Sequence, residues 1–457
     1  MELNFDPSRG ERQLFLDESG IARMDDLVRT MHQPIKKGAL IRPDLDAGQF
    51  CLQIRTAPIW DPEAQLFKLW DGGARRESSD GYHWKVVAPH EGPAAVVYDA
   101  SDPDPQRRFK AFAPAERAVS PDGISWSKLQ QAPVPSSDEH NFSFDERSRL
   151  FIATVKHLGP RGRSVWLSTS SDFASWSAPE LIFHADEPDQ LLGREHIAQR
   201  FANPALQQPY FNFPPTYRVE IYNMAAFRYE SHYIGMPMMY HQTGKVAGNW
   251  PEFPAWEIPP ELRLIFQRDG DWSGFHHVQL ACSRDLRQWQ RLGQRRPFLD
   301  LSPLGGDDLD LASVVGPSFP LVRGGELWFY YTAGNQYGGP EPQRGKERER
   351  CGICLAVLRR DGFVSLASGA REGVLLTRPF RFAGKKIYAN VDAPKGELQA
   401  EIVAPDGTTI CSSHPLRGDQ LQGEFRWRQG DLNNIQNGVL ALRFKMRQAH
   451  FYSYWIE

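Results

Sequence analysis

The chain has 457 residues and a mass of 52.0 kDa, more than one hydrophobic core fills, so two or three domains are expected. Its content of 41% hydrophobic, 24% charged and 12% aromatic residues excludes wholesale disorder and a small disulfide-stapled scaffold. A net charge of −3 and a pI near 6.5 leave no basic surplus for nucleic acid, and no run approaches 18 apolar residues, which speaks against a membrane span.

Residues 1–7 carry neither a basic nor an apolar stretch of the signal-peptide kind. As given, the chain reads as cytoplasmic, or as secreted or periplasmic if a signal has been trimmed. Short runs of branched and aromatic residues bounded by Pro, Gly, Asp and Asn follow, and they predict inner strands over 51–60, 94–98, 141–144, 219–226 and 314–321. Their partners fall at 65–70, 108–113, 149–156, 232–240 and 326–332. Between the strands a turn recurs at 79–84, 120–126, 170–176 and 283–289, each with Ser, Asp and a closing Trp. Trp84, Trp126, Trp176 and Trp289 lie 42, 50 and 113 residues apart, the period of a four-stranded propeller blade, with the long gap holding two blades or one blade and an insertion. Asp and Ser accept backbone N–H groups in such a turn, and Trp packs where the next strand begins. The stretches 186–215 and 242–260 read as long loops or insertions.

Cys51, Cys282, Cys351, Cys354 and Cys411 are few and scattered, so reduced thiols are expected, with Cys351 and Cys354 as strand residues and not as a metal or redox pair. After 363 the pattern changes to short strands at 385–391, 397–403, 423–427, 439–445 and 451–456, which suits a small β-sandwich. The expected fold is all-β: a five-bladed β-propeller over 1–372 carrying the axial pocket, then a C-terminal β-sandwich over 373–457.

Five blades with Ser-x-Asp turns followed by a sandwich resemble the furanosidase clan of glycoside hydrolase families 32 and 43. The chain is similar to bacterial proteins described as resembling the family 32 N-terminal domain. The matching segments are 14–17, 107–110, 358–366, 387–391 and 451–454, so the resemblance runs over nearly the full chain. The resemblance implies a glycosidase acting on an oligosaccharide or glycoside. The invertase-type Asn-Asp-Pro-Asn-Gly and Arg-Asp-Pro signatures are absent.

Inner propeller strands run the same way, so their leading ends converge on one axial mouth. The residues there are Asp44 and Asp46, His90 and Glu91, Asp138, Glu139 and His140, Glu220, and Asp307, Asp308 and Asp310. Glycoside hydrolysis needs two carboxyl groups, one protonated and one ionised. The resemblance implies Glu220 as acid; alternation sets Arg218, Glu220 and Tyr222 on one strand face, so a structural arginine pair is the competing reading. Asp138 is the expected orienting aspartate, and Asp310 and Asp46 compete for base or nucleophile. Substrate contacts are assigned to His140, Tyr222, Arg55, Arg163, His276, Arg350 and Glu91. The third strands add Arg75, Arg76, Arg117, Arg161, His277 and Arg348, either compensating the carboxylates or binding an acidic or sulfated sugar. Trp60, Trp272, Tyr222 and Tyr233 could stack on sugar. Adjacent His276 and His277 point to opposite strand faces and so are not a two-histidine metal clamp; no cofactor is expected, although the axis has room for a calcium ion or a water, with no ligands assigned. A carbohydrate is the expected partner, and homo-oligomers stay open. The alternatives are a propeller that binds carbohydrate without cleaving it and a sugar lyase with His140 or His277 as base.

Overall fold

Each Trp turn is locked by a serine and by an aspartate two residues later. Ser78, Ser120, Ser170 and Ser283 donate to Asp80, Asp122, Asp172 and Asp285 at 2.9–3.0 Å. The same carboxylates accept the backbone N–H groups two and three residues further on at 2.7–2.9 Å. The anchoring serine of the first turn is therefore Ser78, one residue before the repeat as read from Ser79. The residue after each aspartate takes a left-handed φ of +60 to +81°. Gly81 and Gly123 adopt it without strain, while Phe173 and Leu286 accept it because their side chains are buried.

The computed structural model describes residues 5–7, 10–249, 268, 270–316, 318–337, 349–428, 432 and 438–457. Among these the turns join antiparallel strands into five blades, and the predicted inner strands and their partners lie where expected except the first, expected over 51–60, of which only 59–60 is strand and Cys51 forms an isolated bridge. The inner strands are Ile59–Asp61, Ala95–Tyr98, His140–Asp145, Arg218–Tyr229 and the broken pair Ser313–Val315 and Leu321–Arg323. The 113-residue gap thus holds one blade with insertions. Part of 242–260 lies outside the described residues, and 242–246 continues the strand His232–Val246.

The stretch 186–215, read as loop, contains the helix Glu187–Ala202. Asp186 and Asp189 form a reciprocal capping box at 3.1 Å. The helix buries Asp189, Gly193, Ile197 and Arg200, a mostly polar face with no apolar stripe to announce it.

The ring closes with chain from near the N-terminus. Ile35–Ile41 pairs with Cys351–Arg359 as the outer strand of the fifth blade. A disulfide between Cys51 and Cys351, 300 residues apart, adds a covalent link at the same seam, which corrects the expectation that these thiols are reduced. Cys354 is separately buried. The two cysteines are scattered in sequence but adjacent across the junction of the first and last blades, a proximity that only ring closure creates. Thiol titration of the unreduced, denatured chain should therefore find three free cysteines, and Cys51→Ser should lower stability by about 2–4 kcal/mol.

The remaining strands form one 11-stranded sheet, folded around a core that includes Phe15, Leu375, Val391, Leu442 and Phe451. Ile387–Val403 makes the sandwich possible: its first half pairs with Ala449–Ile456, its second with Val439–Arg447, and bulges separate the two. Strand pairing draws the domain division differently from a cut at 372. Gln13–Leu14, Ile21–Asp25, Val28–Met31 and Val364–Ser368 all belong to the C-terminal sheet, so the sandwich is built from both chain ends.

Candidate active site

The leading ends of the inner strands converge on a cavity of about 450 Å³, lined by Arg55, Glu139, Tyr222, His276, Tyr337 and Arg350 among others. Four of the expected substrate contacts are thus together. Glu139 heads the blade-three inner strand, and its Oε1 accepts from Arg55 Nη2 at 3.2 Å. Its Oε2 is buried with no hydrogen-bond partner. Asp138, next to it, forms an ion pair with Lys156. The Lys156 ammonium lies 3.9 Å from the centre of the Tyr222 ring, and burial, only partly offset by Asp138, pulls its pKa down.

His276 is packed among tyrosines. Its ring centre lies 4.8 Å from Tyr222, 4.7 Å from Tyr240 and 4.3 Å from Tyr337. Nδ1 is 3.2 Å from Ser313 Oγ, and Nε2 is buried without a partner. Burial pushes the Tyr337 phenol up to about 12 and Tyr222 higher still.

The expected acid sits elsewhere. Glu220 is 1% exposed, with Arg163 on Oε2 and Arg218 Nη2 on Oε1 at 2.5 Å. Both oxygens are engaged, so the carboxyl has no free edge to present to a leaving oxygen, and the arginine-pair reading is realised twice over. Any Cβ at Gly162 would strike this carboxylate. Arg163 is consequently a partner of Glu220 that also faces the Tyr240 ring at 5.3 Å.

Asp310, also 1% exposed, pairs with Lys36 at 2.7 Å and accepts from Tyr331 at 2.8 Å. It ties the closing strand to the fifth blade and does not line the cavity. Asp46 is exposed in a turn where its N–H donates to Asp44, and Glu91 is exposed outside the cavity. Both are surface residues because their segments are turns leading into strands. Asp307 pairs with Arg42 at 2.8 Å. The cation series is mostly compensated: Arg75 meets Glu77, Arg76 meets Asp71 and Arg161 meets Glu187, while Arg117 donates to the Pro114 carbonyl. Arg348 lies outside the described residues. Tyr233 donates to Asp145, and His90 faces the Pro93 carbonyl.

His140 packs against Phe112 beside the mouth, its Nδ1 buried without a partner. Burial, reinforced by Arg55, lowers its pKa to about 4. An unfolded imidazole takes a proton below about 6.5, whereas this one does not until near 4. The unfolded chain binds more protons between those values, so this contribution is lost as pH falls through that window. His140→Gln should flatten the pH dependence of stability there by roughly 2–3 kcal/mol, measured by urea denaturation at pH 7 and pH 4.5.

A larger cavity of about 710 Å³ opens at the opposite mouth, where Trp60 lies. Its buried carboxylates are engaged: Glu11 lies between Arg147 and Arg228, and Asp145 accepts from Tyr233 and Ser148, while Glu146 is exposed at the rim. The smaller cavity is the better candidate because it alone combines an unpartnered carboxylate oxygen with an unpartnered imidazole nitrogen. Sequence reading reached Glu139 but preferred Asp138, and it passed over Lys156 and Tyr337, which only blade packing brings to the mouth. Around the axis the polar groups include Asn141, Ser318 and Thr332, hydrogen-bonded to each other or to the strands.

No protein-family model matches the chain, and no curated protein matches it. Solved structures do, glycoside hydrolases of families 32 and 43 among them. A structure described as a glycoside hydrolase matches at 11% identity and a TM-score of 0.39, over 72% of this chain and 92% of its own. A Bombyx mori family 32 β-fructofuranosidase matches at 9% identity and 0.35, over 93% and 94%. A Bacillus subtilis family 43 arabinoxylan arabinofuranohydrolase matches at 10% and 0.25, over 86% and 76%.

Proposed function

We propose that the protein is a carbohydrate-active enzyme that takes an anionic sugar at the narrower mouth and cleaves its glycosidic bond, with Glu139 as the acting carboxyl. The observation that carries this is the buried, unpartnered Glu139 Oε2 inside the cavity. Such an oxygen is costly to leave unpaired, and a sugar hydroxyl or glycosidic oxygen would pair it. Arg55 and Arg350 line the cavity beside Glu139. Guanidinium groups bind carboxylate and sulfate oxygens through paired N–H donors, which favours a uronate or sulfated residue. Asp138, held by Lys156, is the second carboxyl, the one that would activate the attacking water while Glu139 protonates the leaving oxygen.

A second reading rests on His276, whose unpartnered Nε2 sits beside Tyr222 and Tyr337. A base there could take the proton next to a uronate carboxylate, form a carbon–carbon double bond and expel the glycosidic oxygen. Incubation with uronate-bearing, sulfated and neutral glycans, with chromatography and ultraviolet detection, separates the two. Saturated reducing ends from acidic glycans support hydrolysis, unsaturated sugars support elimination, and binding without products leaves a carbohydrate-binding propeller.

A further inference from the structure

Behind the mouth, on the other face of the fourth blade, three imidazoles meet. His196 comes from the helix Glu187–Ala202, His241 from His232–Val246 and His277 from Asp271–Val278. Strand alternation separates this group from His276, which joins the tyrosines of the cavity. The ligating atoms of the three all lie within 4.8 Å of one another, and His196 Nδ1 is 3.3 Å from His241 Nε2. Nitrogens bound at about 2.1 Å to one tetrahedral zinc stand about 3.4 Å apart.

We infer that His196, His241 and His277 form a binding site for a zinc-class divalent metal ion. Two further observations fit. His277 is 3% exposed and its Nε2 has no hydrogen-bond partner, a vacancy that costs free energy unless something fills it. His241 Nδ1 faces the Met239 carbonyl at 3.3 Å. A proton held there turns the Nε2 lone pair toward the cluster, the usual second contact of a ligating histidine.

Imidazoles without thiolates or carboxylates suit zinc, copper, nickel or cobalt over calcium or magnesium. Three protein ligands leave one position for water. His196 is only half-buried, so an ion held here would be reachable from solvent. The ion would pin the helix, whose own buried face is largely polar, to the strands it covers.

The site is tested on the full chain after chelator treatment, with Co²⁺ as a coloured probe and Zn²⁺ as competitor. One equivalent of Co²⁺ should give visible bands of low-coordinate cobalt that Zn²⁺ abolishes, and zinc should raise the melting temperature. His196→Ala, on a half-exposed helix position, should weaken binding at least about 100-fold, beyond what loss of an outer partner costs. His83→Ala, an exposed control, should not change it. The zinc absorption edge of the unaltered protein should report three imidazole ligands. Absence of stoichiometric binding, equal affinity in His196→Ala, or fewer than three imidazoles at the zinc would each overturn the site.

Discussion

Asp361→Ala should be the most damaging single substitution in the chain, lowering stability by about 3–5 kcal/mol. Asp361 is fully buried and accepts four side-chain donors: Arg12 at 2.7 Å, Tyr229 at 2.7 Å, Asn390 at 3.0 Å and Ser453 at 2.6 Å. These come from the N-terminal segment, the fourth blade and two strands of the sandwich, so one carboxylate ties the propeller to the second domain. Its own φ of +63° is a strained conformation for a non-glycine residue. Removing the carboxylate strands the Arg12 guanidinium, which otherwise lies 3.6 Å from the centre of the Trp455 ring, without its close anion. Asp361→Asn keeps the shape but sets an amide N–H₂ against donors, so it should fall between wild type and alanine. Urea denaturation followed separately by propeller and sandwich fluorescence would check this. Equal stability of all three proteins would mean that the network does not couple the domains.

That network explains what the sequence resemblance consisted of. Segments 358–366, 387–391 and 451–454 supply Asp361, Asn390 and Ser453, and segment 14–17 supplies Asp17, which holds Arg284 at 2.8 Å and faces His232 at 3.2 Å. The recognisable residues are buried polar ties between elements, informative about fold and silent about substrate. The blades were legible because each Ser–Asp turn is a local device whose hydrogen bonds close within five residues. The closing strand Ile35–Ile41, the Cys51–Cys351 bond and the N-terminal share of the sandwich were not, since each depends on chain ends meeting across hundreds of residues. The helix was hidden by a polar buried face, although Asp186-x-x-Asp189 with Pro188 was a capping signature open to reading. At the mouth, alternation along Arg218–Tyr229 correctly grouped Arg218 with Glu220. It could not show that Arg163, from the neighbouring blade, would take the other carboxylate oxygen.

Glu139→Gln and Glu220→Gln should therefore fail in different ways. Glutamine at 139 still offers Arg55 an acceptor but cannot donate or take the proton at a glycosidic oxygen, so turnover should fall about 10²–10⁴-fold. Substrate affinity and melting temperature should stay near wild type. Glutamine at 220 leaves Arg163 and Arg218 facing a neutral amide in a buried pocket, and the cost should appear first as stability, of the order of 3 kcal/mol. Any loss of turnover there should follow from displacement of Arg163 beneath Tyr240, and should ease at lower temperature as the folded fraction recovers. The measurement is kcat, KM and melting temperature for both variants on the acidic glycan that the wild type cleaves best. If Glu220→Gln loses turnover at unchanged melting temperature while Glu139→Gln stays active, the acid is Glu220 and the ion pairs that hold it must open on substrate binding.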